Sequence, residues 1–407
     1  MKVLFYRQGD ASFLNSSGLK FSGGVASTSS SQLDHHKNVN NLTGNKGNMI
    51  HREAMPKILK INRDASAYVN LIKLRDACLD ENAYAKLVNE SFDCLVISMA
   101  NFIQPGEQET RLYDLLRPLE IDVHVVGVGL QVPCPFSQLA QSTQDLLKYF
   151  NDKAKLFSVR GKRTESWCHK NGLDNAIALG CPSMFVYPNN VFSITLPDLT
   201  RDLKIISAGH IHQAVLGTKK VNGRAFSLMS ALKGMNVDYV FQSELFKFDE
   251  LLTKPGVFNE ALSEVSAKHV NEFIQDKSGI KPPFNRYFQF DSPAAWRSTS
   301  STYDLYIGDR IHGAVAAMQS GTPALIVYDD IRVKELADYF CLPSVDVKEL
   351  NNKSLNVLLE EQFTEEWLAK FKNRYKLVLR KFVRKLDSIG LKTAHFGDVK
   401  FVLSQDA

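Results

Sequence analysis

The chain has little that would mark a metal site, a disulfide scaffold or a membrane span. Its six cysteines (Cys78, Cys94, Cys134, Cys168, Cys181 and Cys341) include no C-x-x-C pair. That scatter argues against a zinc site and a disulfide framework, and predicts free thiols in a reducing compartment. No run of about 18 apolar residues occurs, so no transmembrane helix is expected. The N-terminal run, residues 2–6, is too short for a signal-peptide core, so the expected place is inside the cell, at the cytoplasm or the inner face of its membrane. G-x-x-x-x-G-K-[ST], H-E-x-x-H and G-x-S-x-G are all missing, and the pair Gly127 and Gly129 lacks the third glycine of a dinucleotide fingerprint. Metal-independent chemistry with no cofactor, on an anionic ligand, is the class left standing. A net charge of +5 without a dense basic stripe suits an anionic substrate or a membrane surface, and argues against nucleic acid.

What is present fits a globular enzyme. At 407 residues the chain exceeds what one core economically supports, so two domains are expected. Apolar runs at 2–6, 93–98, 121–128 and 155–159 predict strands, with helices over 48–90, 106–117 and 136–150. A second alternation has strands at 203–207, 237–241, 303–307 and 324–328, with helices over 258–275 and 312–320. Strand alternating with helix predicts parallel sheets flanked by helices. The expected division is 1–195 (the acceptor side, with a polar insertion over 10–45) and 200–362 (the donor side), with Asn189, Asn190 and Pro197 marking the linker. His35 and His36, inside the insertion, have no co-ligand nearby and read as surface residues. Residues 363–390 form a C-terminal helical unit. Trp367, Phe371, Tyr375, Val378, Phe382 and Leu386 give it one apolar face, and eight Lys/Arg lie between Lys370 and Lys385 without an acid. That basic face is either simply solvated or rests on anionic lipid.

Four stretches carry chemistry. In residues 307–314 a buried strand runs into Gly308, then Arg310 and His312, then Gly313 at a helix start. Ligands of parallel sheets bind at the carboxyl ends of strands, and a helix N-terminus favours an anion. Arg310 offers a planar fork for carboxylate or phosphate, and His312 a proton near neutral pH. In residues 158–164, Arg160, Lys162 and Arg163 follow another strand. Arg160, nearest the strand, is the one read as functional. The glycine-flanked turn with Asn45 and Asn48 would let backbone approach a ligand. Arg332 and Lys334 follow the strand at 324–328 and would reach the same cleft. Residues 180–183 read as a structural turn.

These motifs resemble the polysaccharide pyruvyl transferase family: GNKGN (44–48), SVRGKRT (158–164), GCPSMF (180–185), DSPAAW (291–296) and above all the block over 303–333. The resemblance implies a GT-B-like architecture, with two Rossmann-like domains, a cleft between them and a C-terminal helix crossing back to the first. It also implies a transferase that uses phosphoenolpyruvate as donor substrate. Such an enzyme places pyruvate as a ketal on a sugar of a capsule, exopolysaccharide, cell-wall polymer or lipid-linked precursor, with peripheral membrane contact. By motif, Arg160 and Arg310 would hold the donor with Gly313 and Arg332 or Lys334, and His312 would be acid/base. The family commonly has N-x-G-D in the N-terminal loop. Here the Asp position is Asn48, which cannot act as a base. The alternatives are a nucleotide-sugar glycosyltransferase of the same architecture, with Glu244 as its ribose carboxylate, or a non-catalytic glycan-binding relative.

Overall fold

The computed structural model describes residues 1–6, 20–21, 37, 44–106, 111–212, 223–259 and 263–405. His35, His36 and most of the polar stretch 10–45 lie outside them. The first sheet holds β1 (Val3–Tyr6), β2 (Lys20–Phe21), β3 (Ala67–Val69), β4 (Cys94–Ser98), β5 (Asn101–Ile103), β6 (Asp122–Leu130), β7 (Leu156–Val159) and β8 (Ala176–Ala178). Its order is β2-β3-β1-β4-β6-β7-β8, with β5 on β6, and every pairing is parallel. The buried runs of β4, β6 and β7 are mostly apolar because helices cover both faces, His124 and Ser158 being the buried polar exceptions.

The second sheet holds β9 (Lys204–Ala208), β10 (Asn236–Val240), β11 (Phe258–Asn259), β12 (Glu264–Val265), β13 (Phe284–Phe288), β14 (Leu305–Gly308), β15 (Ala324–Tyr328) and β16 (Ser344–Asp346). Its order is β11-β12-β13-β10-β9-β14-β15-β16. From β13 to β16 the strands are parallel and run 3-2-1-4-5-6 in order of appearance, the dinucleotide-fold order with its switch point between β9 and β14. The expected two parallel-sheet α/β domains are therefore present.

Two expectations need correcting. The helical reading of 48–90 is interrupted by β3, whose three residues pair with β1 and bury Tyr68 and Val69. A strand that short shows no period of its own. The helix expected from 258 starts at Ala267, because Phe258–Asn259 and Glu264–Val265 form an antiparallel edge on β13.

Helices that position the cleft are α1 (Gly47–Arg52), α2 (Lys162–Lys170), α3 (Arg224–Ala231), α4 (Pro293–Ser300), α5 (Ile311–Gln319), α6 (Ile331–Phe340), α7 (Glu365–Ser388) and α8 (Phe396–Ser404). The domains meet through packed apolar surface: Val315, Met318, Trp296 and Phe340 join the same core as Met55, Met184 and Phe185. Buried polar ties cross as well. Arg297 on α4 pairs with the fully buried Glu53, and Glu335 on α6 accepts from Thr164 N (2.6 Å) and Thr164 Oγ1 (2.8 Å), capping α2 from the other domain.

α7 crosses back to the first domain. Phe371, Tyr375, Val378, Phe382 and Leu386 are buried, and Tyr375 donates to Met184 O at 2.8 Å. Its basic face is not all solvent-facing. Arg374 donates to Tyr339 O and Lys381 to Ala178 O, Lys376 reaches Gln405 O, and Lys372 stands over the Phe192 ring. Lys370 and Arg384 are exposed. Among the described residues no helix is long and apolar enough to cross a membrane.

Candidate active site between the two sheets

The carboxyl ends of the parallel strands of both sheets open onto one cleft of about 270 Å³. Asn101 follows β4 and Arg160 follows β7. His210, Gln242 and the run from Asp309 to His312 follow β9, β10 and β14, and Asp330 and Arg332 follow β15. Asn45, on the turn into α1, and Asn48, the second residue of α1, close the cleft from the first domain. The site thus occupies the place that ligands take in open α/β sheets.

Close approach depends on two glycines. A Cβ on Gly47 would stand 2.6 Å from Gln242 Oε1 and 3.0 Å from His312 Cβ, so a side chain here would make Gln242 and His312 give way where this turn presses on the second domain. A Cβ on Gly129 would stand 2.9 Å from Arg160 Cδ, so glycine there clears the path of the arginine.

The cations of the cleft differ in how they are matched. Arg310 pairs with the fully buried Glu244, whose second oxygen accepts from the Gln242 and Ser243 amides. Burial works against the Arg310 charge, yet Glu244 and Asp309 raise its pKa overall. Arg332 turns back onto Asp330 at 2.8 Å. Arg160 has neither arrangement. It is 3% exposed, its Nη1 donates to Asn101 Oδ1 at 2.6 Å, and its Nε has no partner among the described residues. Burial lowers its pKa, with Cys181 and Glu335 acting in the opposite sense.

His312, the second residue of α5, is buried and its Nε2 is also without a partner among the described residues. Burial first, and Arg160 second, push its pKa down to about 3. Behind it His51 lies with its ring centroid 5.7 Å away. That imidazole too is held well below its ordinary range by burial, then by His312 and Arg160. Both rings are neutral at pH 7 when the cleft is empty. Lys46, fully buried in the same turn as Asn45, is pushed down to about 7 by burial against the pull of Asp291.

Of the residues singled out in the sequence, Arg160, Arg310, His312, Arg332, Asn45 and Asn48 meet in the cleft. Two do not reach it. The Gly313 amide donates to Arg310 O at 2.9 Å, and the Tyr306 hydroxyl lies 2.7 Å from where its Cβ would be, so this glycine serves helix packing. Lys334 is half exposed and binds Asp338 one turn along its own helix at 2.9 Å. Glu244, considered for a ribose, is committed to Arg310. Asn101, His210, Gln242, Asp309 and Asp330 had not been singled out. Their shared signal is position, at or just past the end of a strand; Asp309 and Asp330 also lie inside stretches already read as chemical, whereas Asn101, His210 and Gln242 lack a local motif.

Comparison with known proteins names a family. Among solved structures, UDP-GlcNAc 2-epimerase from Neisseria meningitidis bound to UDP-GlcNAc aligns with TM-score 0.46 and 12% identity, covering 95% of this chain and 100% of that one. Anabaena Alr3699/HepE in complex with UDP-glucose aligns with TM-score 0.48 and 10% identity, covering 95% and 100%. MurG from Acinetobacter baumannii gives 0.37 and 14%, covering 92% and 94%. No curated protein matches in sequence. The family model for polysaccharide pyruvyl transferase matches residues 34–330, a span that includes every residue of the cleft except Arg332 and Val333. With almost three-quarters of its length so matched, this chain belongs to the polysaccharide pyruvyl transferase family.

Proposed function

We propose that the protein transfers the enolpyruvyl unit of phosphoenolpyruvate to a sugar of a bacterial surface polysaccharide, or of its lipid-linked precursor, as a pyruvate ketal. The observation that carries this reading is Arg160, a buried guanidinium facing the cleft with no carboxylate in ion-pair reach among the described residues. A buried charge is costly until an opposite charge joins it. A small carboxylate- and phosphate-bearing donor supplies that charge. Arg310 and Arg332 add directed N–H donors, but Glu244 and Asp330 already match their charges.

The chemistry follows from the donor. Protonation of its methylene carbon develops positive charge at C2, a sugar hydroxyl adds there, phosphate leaves, and a second hydroxyl closes the ketal. His312 stands in the cleft beside Arg160 as the proton donor. A well-placed acid of this kind contributes ~10²–10⁴-fold. The nucleotide-sugar alternative loses its candidate ribose ligand, since Glu244 is held by Arg310.

The test is thermal unfolding with phosphoenolpyruvate beside UDP-sugars. Donor at ~100 times its dissociation constant should stabilise the fold by about 2.7 kcal/mol. A shift with phosphoenolpyruvate alone is expected. A shift with a UDP-sugar alone would move the protein to the glycosyltransferases.

Contact with an anionic lipid surface is the second part of the reading. Leu377, Phe396 and Phe401 are exposed on the last two helices, as are the cations Lys370, Arg384 and Lys400, and Lys392 is exposed on the connection between those helices. Each basic residue at such a surface adds ~1 kcal/mol. The protein should sediment with phosphatidylglycerol-containing vesicles at low salt, and Phe396→Ser with Phe401→Ser should weaken this. Equal sedimentation with neutral vesicles would remove the electrostatic part of the claim.

A further inference from the structure

His210 stands directly after the short turn that ends β9, beside the switch point of the second sheet. Its ring lines the cleft that holds Arg160 and His312. Its Nδ1 lies 3.0 Å from each carboxylate oxygen of Asp309. Asp309 is buried, and Arg224 Nε lies 3.1 Å from its Oδ2. Burial works against the Asp309 charge, but the His210 hydrogen bond, together with the charges of Arg224 and Arg310, holds its carboxyl below the usual range. An ionised carboxylate only accepts, so Nδ1 carries the ring proton and Nε2 the lone pair. Arg224 Nη2 sits 2.6 Å from that lone pair. The same guanidinium also meets Asp309, Asp329 and Asp330, so it can release Nε2 to an incoming hydroxyl and keep its charge partners.

We infer that His210, oriented by Asp309, is the base that takes the proton of the attacking acceptor hydroxyl, a role that Asn48 cannot fill. The inference rests on phosphoenolpyruvate being the donor. In the first step the hydroxyl oxygen bonds C2 and its proton passes to His210 Nε2. The C2–C3 π pair meanwhile takes a proton from the His312 imidazolium onto C3. In the second step another hydroxyl oxygen bonds C2 and its proton passes to His312. The C2–O bond to phosphate breaks, and the proton on His210 goes to the departing phosphate oxygen. Both imidazoles end as they began, and inorganic phosphate is the co-product.

His210→Gln in the full chain tests this, because a glutamine amide can still donate to Asp309 but takes up no proton. Phosphate release from phosphoenolpyruvate is measured with methyl galactoside, with N-acetylmannosamine and with water alone as nucleophile. The expected result is an unchanged thermal shift with phosphoenolpyruvate and a fall of ~10²–10⁴-fold in release. The charged or titratable groups facing His210 are Asp309, Arg224, Arg310 and His212, whose ring centroid lies 5.8 Å away and whose pKa burial lowers to about 4. Added imidazole should partly restore His210→Ala. Unchanged release in His210→Gln, or a loss accompanied by loss of the thermal shift and no imidazole rescue, overturns the inference. A wild-type chain that shows neither shift nor release overturns the donor reading instead, and the base assignment falls with it.

Discussion

Arg160→Met is expected to weaken phosphoenolpyruvate binding by about 30- to 4,000-fold while leaving the empty protein as stable as before, or more so. The two halves of this result have one cause. Removing one member of a buried, hydrogen-bonded charge pair costs about 2–5 kcal/mol, and each 1.4 kcal/mol is tenfold in affinity. In the empty cleft that partner is absent, and the guanidinium is buried with Asn101 as its one hydrogen-bond partner among the described residues. Methionine has a similar reach and no charge to desolvate, and replacing buried charge by apolar volume is often neutral or stabilising. Asn101 is half exposed, so losing the arginine does not strand it. Titration calorimetry gives the affinity and thermal unfolding the stability. A variant that melts lower and still binds the donor would make Arg160 a structural residue, and the cleft would need another anion anchor.

How far the sequence reaches follows from how local each signal is. β4, β6, β7, β9, β10, β14 and β15 are legible because each is a buried run of four or more residues, mostly apolar. β3, β8 and β16 have three residues each and owe their extended form to the neighbour they pair with. The site divides the same way. Arg160, Arg310 and His312 are legible because each is a charged or titratable residue where a strand passes into a helix, the first two before the helix and His312 in its first turn. His210 and Gln242 also follow strands, but each stands in a turn with no pattern of its own. Ion-pair partners are less legible still. Glu244 and Arg310 are 66 residues apart, and Arg224 and Asp329 are 105 apart. No spacing rule connects them before the sheet order is known. For that reason the sequence could rank Arg310 and Arg160 as equals, whereas the fold matches the charge of one and leaves the other for a ligand.

The second large effect concerns His312 and its proton. His312→Gln is expected to lower turnover ~10²–10⁴-fold with little change in donor affinity at neutral pH. The wild-type site adds a condition. In the empty cleft burial and Arg160 hold the imidazole at about 3, so at pH 7 it has no acidic proton to deliver. A donor carrying carboxylate and phosphate offsets the Arg160 charge and places negative charge beside the ring, both of which favour the imidazolium. The pKa of His312 therefore rises on binding. Between the free and the bound pKa the complex holds more protons than its separated parts, so binding takes up protons and affinity falls as pH rises through that window. Below about pH 3 the ring is charged in both states and this contribution to the pH dependence disappears. Calorimetry in buffers of different ionisation enthalpy reads the uptake directly. The wild type should take up a proton near neutral pH, and His312→Gln should lose that uptake together with turnover. Uptake that persists in His312→Gln would assign the proton to another neutral buried group, His51 being the nearest. Turnover that persists would remove His312 from the chemistry and leave it as packing behind Arg160.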